Sequence, residues 1–474
     1  MSVKDKIHTD ANKPGRHSAE TIQVWADDPG SGMMIHTALP DLARRPLAYN
    51  FTTPQLPPTT DTRSAAFRYW TAAAALRRGA DFWAPRVVSG QWQPGPALSV
   101  NLDEGADLNA YYDRTSLNFF HGATPTGMVY SGASPDVVCH EMGHAVLDAI
   151  KPQLWGAASH EAAAFHESFG DMSAILCALQ VREVREAVLK NGQSLYRSSS
   201  LSRLAEELGA AIRARYPDAV DPDCLRNACN TFVYSDPLTL PSGGPASQIS
   251  SEAHSFSRIF TGAFFEALSG LLRMHAGPPS LPTADQLAEV SLQMRDILAR
   301  AIIAAPVVPN FFAQVAAAMV VEAGRLSTQH AAVFKGVFAR RAILSLQSAS
   351  DVQSLQEAHF NVVSASGTSD VVRPLDEIAL SAFHYGLDRP LVVETASHPR
   401  GYAAFSATPD EVRPELTSAS KAAAAYVDTL FARSRVDYNS LGRDDAAMAG
   451  RRHVKTHKIF DEGGALRLRR ICFD

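Results

Sequence analysis

The spacing of apolar and polar positions changes character along the chain, and each change predicts a different kind of structure. Residues 1–62 are polar and broken by proline, ending in PQLPPTTDT, with TIQVWAD as an isolated candidate strand; this predicts an arm rather than a core. AAFRYWTAAAALRRGADFW, residues 65–83, is alanine-rich with apolar positions at helical spacing. From about 86 to 133 the pattern shortens to alternating runs, LSVNLD, NAYYD, SLNFF and GMVYSG, which predict strands. Residues 134 to about 345 read mainly as helices, interrupted by a polar loop around 216–251. The last segment mixes candidate strands, RPLVVETAS and ALRLRRICF, with a helix around 417–433, and DEGGA resembles a hairpin turn. The chain therefore divides into an arm (1–62), a strand-rich region closing on a long helix (63–150), a helical region (151–345) and a small α+β domain (346–474).

Composition narrows the function classes. A chain of 474 residues is long enough for several cores, and 46% hydrophobic with 20% charged residues is ordinary for a globular protein. A net charge of −5 gives no reason to expect nucleic acid or anionic membranes as partners. No apolar stretch approaches the roughly 18 residues of a spanning helix, and AIIAAPVV at 301–308 is short and contains proline, so no membrane insertion is expected. The first residues, MSVKDKIHTDANKPGRHSAE, lack the apolar stretch of a secretory signal, which predicts a cytoplasmic protein. The cysteines (139, 177, 224, 229 and 472) are odd in number, scattered and without a CxxC pair, as free thiols would be. Nothing in the sequence indicates the oligomeric state.

Chemistry concentrates in CHEMGHAVLDAI, residues 139–150. Ser134-Pro135-Asp136 is a strong helix start, with a serine N-cap, proline in the first turn and an acid at the positive end of the helix dipole. On that helix His140 and His144 lie one turn apart on one face, the spacing at which two imidazoles share a zinc ion. Glu141 sits around the helix, within reach of a metal-bound water without being a ligand. Taken alone, the spelling is also what two helix histidines held by ordinary hydrogen bonds would give. A catalytic zinc needs a third protein ligand, and ASHEAAAFHESFGDMSAILCAL supplies candidates on a second helix beginning near Ser159. Glu167 could bind the metal while Asp171, one turn on, accepts the N–H of a liganding histidine. Both acids stand among Phe165, Phe169, Met172, Ile175 and Leu176, a costly place for unpaired carboxylates. The HExxHxxGxxH arrangement is excluded, because Leu147 and Ile150 occupy its glycine and histidine positions.

In PDVVCHEMGHAVLDAI followed by FHESFGDMSAI, the chain resembles the thermolysin-like family of zinc metallopeptidases, the gluzincins, whose pattern is HExxH with ExxxD on the next helix. The resemblance extends over roughly residues 60–345. DLNAYYD at 107–113 looks like the family's substrate-binding edge strand, with Asn109 and Ala110 matching. DCLRNA resembles the segment that brings an arginine, here Arg226, to the substrate carbonyl, and EAHSFSRIF the one whose histidine, here His254, stabilises the oxyanion. The resemblance implies an α+β fold with a β-rich lobe, a helical lobe and a zinc cleft between them, extended here by the α+β C-terminal domain. It implies His140, His144 and Glu167 as ligands of one zinc ion, Glu141 as general base and Asp171 behind the ligands. Met128, Val137 and Leu225 fall where the family builds its apolar specificity pocket.

The departures matter equally. Trp155 replaces the tyrosine that contacts the intermediate, though an indole N–H still donates a hydrogen bond. Ile249 stands where an acid orients the oxyanion histidine, leaving Glu252 as the nearest substitute. Asp136 is present at the paired calcium site but Ala178 replaces a glutamate there, so no double calcium site is expected. The reading is a zinc endopeptidase acting on protein or peptide substrates beside apolar residues. The alternative is a zinc-bound, catalytically weak protein that binds a protein partner. Segment 346–474 carries no second catalytic constellation, and an intracellular peptidase needs restraint. The segment is therefore expected to pack on the peptidase body and limit or direct access to the cleft, or else to be a stabilising appendage distant from the metal.

Overall fold

A computed structural model describes residues 21–87, 92–190, 194–345, 375–396, 418–437 and 455–474. The fold is mixed α+β. Strands β1 (Thr21–Trp25) and β2 (Met34–Ala38) form a hairpin, and β3 (Tyr49–Phe51) precedes the long helix α1 (Ala65–Trp83). Then come β4 (Leu98–Asn101), β5 (Ala110–Tyr112), β6 (Ser116–Phe119), β7 (His121–Thr124) and β8 (Gly127–Tyr130). The main sheet runs β3-β4-β6-β5, parallel except where β5 pairs antiparallel with β6, so β5 forms one edge. The segment expected to be an arm is part of this body from residue 21 on. Ile22 and Val24 on one face of β1 join the core with Leu47 and Tyr49, an apolar alternation too short to stand out against the surrounding prolines.

Two central helices, α2 (Pro135–Ile150) and α3 (His160–Ala178), are buried along their whole length, as helices crossing the middle of a large core are. Ser134 caps α2 by accepting the Val137 N–H at 3.3 Å, and Ser159 stands at the same position on α3. The helices cross closely because glycines face each other. A Cβ on Gly143 would come within 2.9 Å of the Ser173 Cβ and 3.0 Å of the Gly170 Cα. Helices α4 (Arg182–Leu189) and α5 (Glu206–Arg213) flank the short pair β9 (Arg203–Leu204) and β10 (Arg226–Asn227). In the sequence, α4 follows α3 and β10 follows α5. Helices α6 (Ala253–Ala276), α7 (Ala284–Ala304), α8 (Phe311–Gly324) and α9 (Thr328–Arg340) complete the helical half, with α6 packed on α3. Among the described residues no helix is long and apolar enough to cross a membrane. All five cysteines are free thiols.

The C-terminal domain comprises β11 (Asp376–Leu380), β12 (Leu391–Thr395), α10 (Ala419–Ala432), β13 (Val436–Asp437), β14 (His457–Glu462) and β15 (Ala465–Arg470). Its sheet runs β11-β12-β15-β14-β13, and the expected DEGGA turn joins β14 to β15 with both glycines at positive φ, +61° and +84°. Leu391, Val393, Val427, Ile459 and Leu466 make a second core, closed by Ala158 and Ala163 at the start of α3. Ala158 N–H donates to the Glu394 carbonyl at 2.9 Å, and His160 Nε2 lies 3.0 Å from the Thr429 hydroxyl. The domain is seated against the helix that carries Glu167.

A buried acid cluster meets the N-terminal end of α2. Asp28 accepts from Ser134 Oγ at 2.6 Å, Gly30 N–H at 2.7 Å and Glu207 N–H at 2.9 Å, close to Asp27, Asp136 and Glu207. Burial pushes the Asp28 carboxyl from 3.8 up to about 6 against those hydrogen bonds, and Glu207 from 4.5 to about 7. Raised acid pKa values contribute stability that is complete below the unfolded values and lost as pH rises through the folded ones. Asp28→Asn retains an acceptor but no charge. Relative to wild type it should gain stability between pH 5 and 8, by on the order of 1 kcal/mol. Denaturant midpoints at both pH values test this; a difference that does not change with pH would refute it.

Candidate metal centre

His140 and His144 project from one face of α2 onto α3, and their ring centroids are 4.9 Å apart. From α3 the Glu167 carboxylate reaches between them, with Oε2 3.4 Å from His140 Nε2 and Oε1 3.8 Å from His144 Nε2. His140 turns its other nitrogen to Asp171, with Nδ1 3.1 Å from Oδ1, which directs Nε2 toward Glu167. Asp171 also receives the Arg226 guanidinium, Nη2 to Oδ1 at 2.7 Å and Nε to Oδ2 at 3.1 Å. Although burial raises it, Arg226 and His140 hold the Asp171 carboxyl well below the usual carboxylate range. Arg226 was expected at a substrate carbonyl; it lines the same cleft but its guanidinium is held by Asp171.

Several polar atoms at this point have no hydrogen-bond partner although fully buried: both ring nitrogens of His144 and Glu141 Oε2. Orphaned buried groups cost on the order of 1–3 kcal/mol each unless something else satisfies them. A cation is the partner that suits this donor set. Ligand atoms of His140, Glu141 and His144 lie within 4.8 Å of one another, and this buried group could hold a metal ion. Burial drives His144 well below its ordinary value, keeping it the neutral imidazole a metal needs. Among the protein groups alone, burial with Glu167 and Asp474 pushes Glu141 up to about 8, against His140 and His254. A bound cation favours the carboxylate and lowers that value.

His254 enters from the first turn of α6. Glu252, the N-cap, accepts the Ser255 N–H at 3.0 Å with one oxygen and places the other 2.8 Å from His254 Nδ1. His254 Nε2 then lies 3.2 Å from Glu167 Oε2. Burial lowers the imidazole pKa, but Glu167 and Glu252 outweigh it and raise it to about 10, so the ring is cationic at neutral pH. Ile249, where an acid was expected to be absent, packs at the rim of the core.

His140, Glu141, Asp171, Arg226, Glu252 and His254 line a cleft of about 450 Å³ with Asn109 and Ala110 on one wall. Val137, Leu204, Leu208, Ile212, Val220 and Leu225 give it an apolar side. Met128 is not part of it: its side chain is 49% exposed on the hairpin strand β8. Trp155 is buried beside the edge strand β5, 5.7 Å from Tyr112, and its indole N–H donates to the Arg470 carbonyl at 3.3 Å. That N–H, expected to face a substrate, is engaged by the chain itself. Asp136 and Ala178, the positions weighed for calcium, are both buried, and Asp136 accepts the Ala205 N–H at 3.2 Å.

The closeness of α3 to His140 makes Gly170 a sensitive position, since an added Cβ would stand 2.6 Å from both Nδ1 and Cε1 of the ring. Gly170→Ala should turn His140 away from Asp171 and weaken metal binding at least tenfold, on the order of the loss of an outer-sphere partner. Competition with a chromogenic chelator measures it; unchanged affinity would show that the ring has room to move. Comparison with protein-family models found no match, and comparison with curated protein sequences found none either.

Proposed function

We propose that the chain is a zinc-dependent endopeptidase with a thermolysin-like two-lobed body, hydrolysing peptide bonds beside apolar residues. The observation that carries this reading is the Glu167 carboxylate set between the Nε2 atoms of His140 and His144, with unpartnered Glu141 beside them in a cleft. His140, His144 and Glu167 would hold the ion, a nitrogen and oxygen set suited to zinc. When bound, zinc supplies Lewis acidity and a more acidic water. Glu141 takes the proton from the attacking water and passes it to the leaving amine. His254, held at Nδ1 by Glu252, donates from Nε2 to the oxyanion as it develops. Asp171 and Arg226 hold His140 in its liganding tautomer. The edge of β5 away from β6, bridged in this structure by Phe473, is where an extended peptide would find main-chain donors and acceptors, and Val137 and Leu225 offer an apolar wall.

Digestion of casein by zinc-loaded protein, with the new termini mapped by mass spectrometry, tests the reading. Expected are phenanthroline-sensitive cuts with apolar residues flanking the broken bonds; intact casein would count against it. One observation favours binding without turnover as a second reading: β5 already pairs with this chain's own residues. Saturable peptide binding by zinc-loaded protein that releases no fragments would select it.

A further inference from the structure

Beyond β15 the chain runs through Ile471 and Cys472, whose N–H groups donate to the Thr456 carbonyl, to Phe473 and then to Asp474, which lines the cleft. There Tyr112 N–H donates to the Phe473 carbonyl and Phe473 N–H to the Tyr112 carbonyl, both at 2.9 Å, an antiparallel bridge on the free edge of β5. Arg470 anchors the entry, its Nε donating to the Trp155 carbonyl at 3.1 Å while Trp155 Nε1–H donates to its own carbonyl. The Phe473 ring is 2% exposed. It stacks on His166 at 3.8 Å and on His144 at 5.1 Å, with the Arg470 guanidinium 3.8 Å from its centroid. The Asp474 side chain pairs with Arg435, and its main-chain oxygen accepts from His254 Nε2. An extended strand on an edge, an aromatic ring in a closed slot and a carbonyl at His254 are what a bound peptide would present.

Resting on the reading of the cleft as a peptide site, we propose that Ile471–Asp474 is a built-in competitor for substrate. It fills a subsite for an extended peptide whose penultimate residue before the His254-facing carbonyl is aromatic. Arg435 in the same subsite selects an acidic residue at the carbonyl position. The apolar wall formed by Val137, Leu208 and Leu225 lies outside this segment and stays open to the other half of a substrate. A segment tethered to its own site competes at an effective concentration in the millimolar range, so an outside peptide binds only when the segment leaves.

The test uses full-length, zinc-loaded Glu141→Gln protein, in which turnover is removed, and a fluorescein-labelled peptide, Arg-Arg-Ile-Ser-Phe-Asp, read by fluorescence anisotropy. Phe473→Ala removes the ring from the slot, and Asp474→Lys reverses the pairing with Arg435 at a site that does not hold a core together. Both should bind the peptide at least tenfold more tightly than the parent, since burial of one aromatic side chain is worth more than a factor of ten. Replacing phenylalanine by alanine in the peptide should abolish that gain. Equal affinity of parent and Asp474→Lys proteins, with unchanged melting temperatures, would overturn the proposal. So would a gain that persists with the alanine peptide. Because binding is read without turnover, an absence of peptidase activity would leave this result intact and count only against the catalytic reading.

Discussion

Glu141→Gln should lower peptide turnover by at least about a thousandfold while leaving one metal ion bound per chain. The side chain is buried beside His140 and near Glu167, with Oε2 unpartnered, so its amide substitute keeps the volume and loses only the ability to take a proton. Glutamine in that place leaves the His140 contact with Asp171 untouched, which is why metal content should not follow activity down. Equal loss of metal and activity would mean that Glu141 is a ligand, and retained turnover would mean that the base lies elsewhere.

Glu167→Ala should have the opposite signature, losing the metal first. Its carboxylate lies within 3.8 Å of both ligand nitrogens and 3.2 Å from His254, and it stands on α3 whereas the histidines stand on α2. An ion held by both helices ties them together, so its loss is also a loss of folding free energy. The variant should bind zinc at least a hundredfold more weakly and lose the rise in melting temperature that zinc gives wild type. It also removes a carboxylate that sustains the His254 charge. Wild-type zinc affinity would move the third ligand elsewhere; the buried His166, whose ring nitrogens lack hydrogen-bond partners and whose ring centroid is 5.6 Å from that of His144, is the candidate.

Much of the body was legible because its signals are local. Helix α1 begins and ends where the alanine-rich periodicity does, and α2 starts at its Ser-Pro-Asp cap. The carboxylate pair on α3 could be placed inside the protein because the surrounding phenylalanines left no solvated face. The strands β4, β5, β6 and β8 fall inside the alternating runs, and β15 inside ALRLRRICF. What was not legible depends on partners far away in sequence. The pairing of Arg226 with Asp171 spans 55 residues, and that of His254 with the Asp474 oxygen spans 220. Strand β1 looked like part of an arm because its buried face exists only against α1 and the main core. Likewise CFD after β15 has no pattern of its own; its place in the cleft follows from where the C-terminal sheet docks on α3. The same docking engages Trp155, whose indole N–H donates to the Arg470 carbonyl.

We propose that His140, His144, Glu167 and Glu141 form a metal-dependent hydrolytic site. The most direct measurement is the rate at which zinc-loaded protein, as wild type and as Asp474→Lys, cleaves a quenched fluorescent peptide with an internal aromatic–acidic–apolar sequence. Expected is cleavage that phenanthroline abolishes and added zinc restores, faster in Asp474→Lys than in wild type. Zinc-loaded, folded protein of both kinds that leaves the peptide intact, or cleavage indifferent to the chelator, would contradict it.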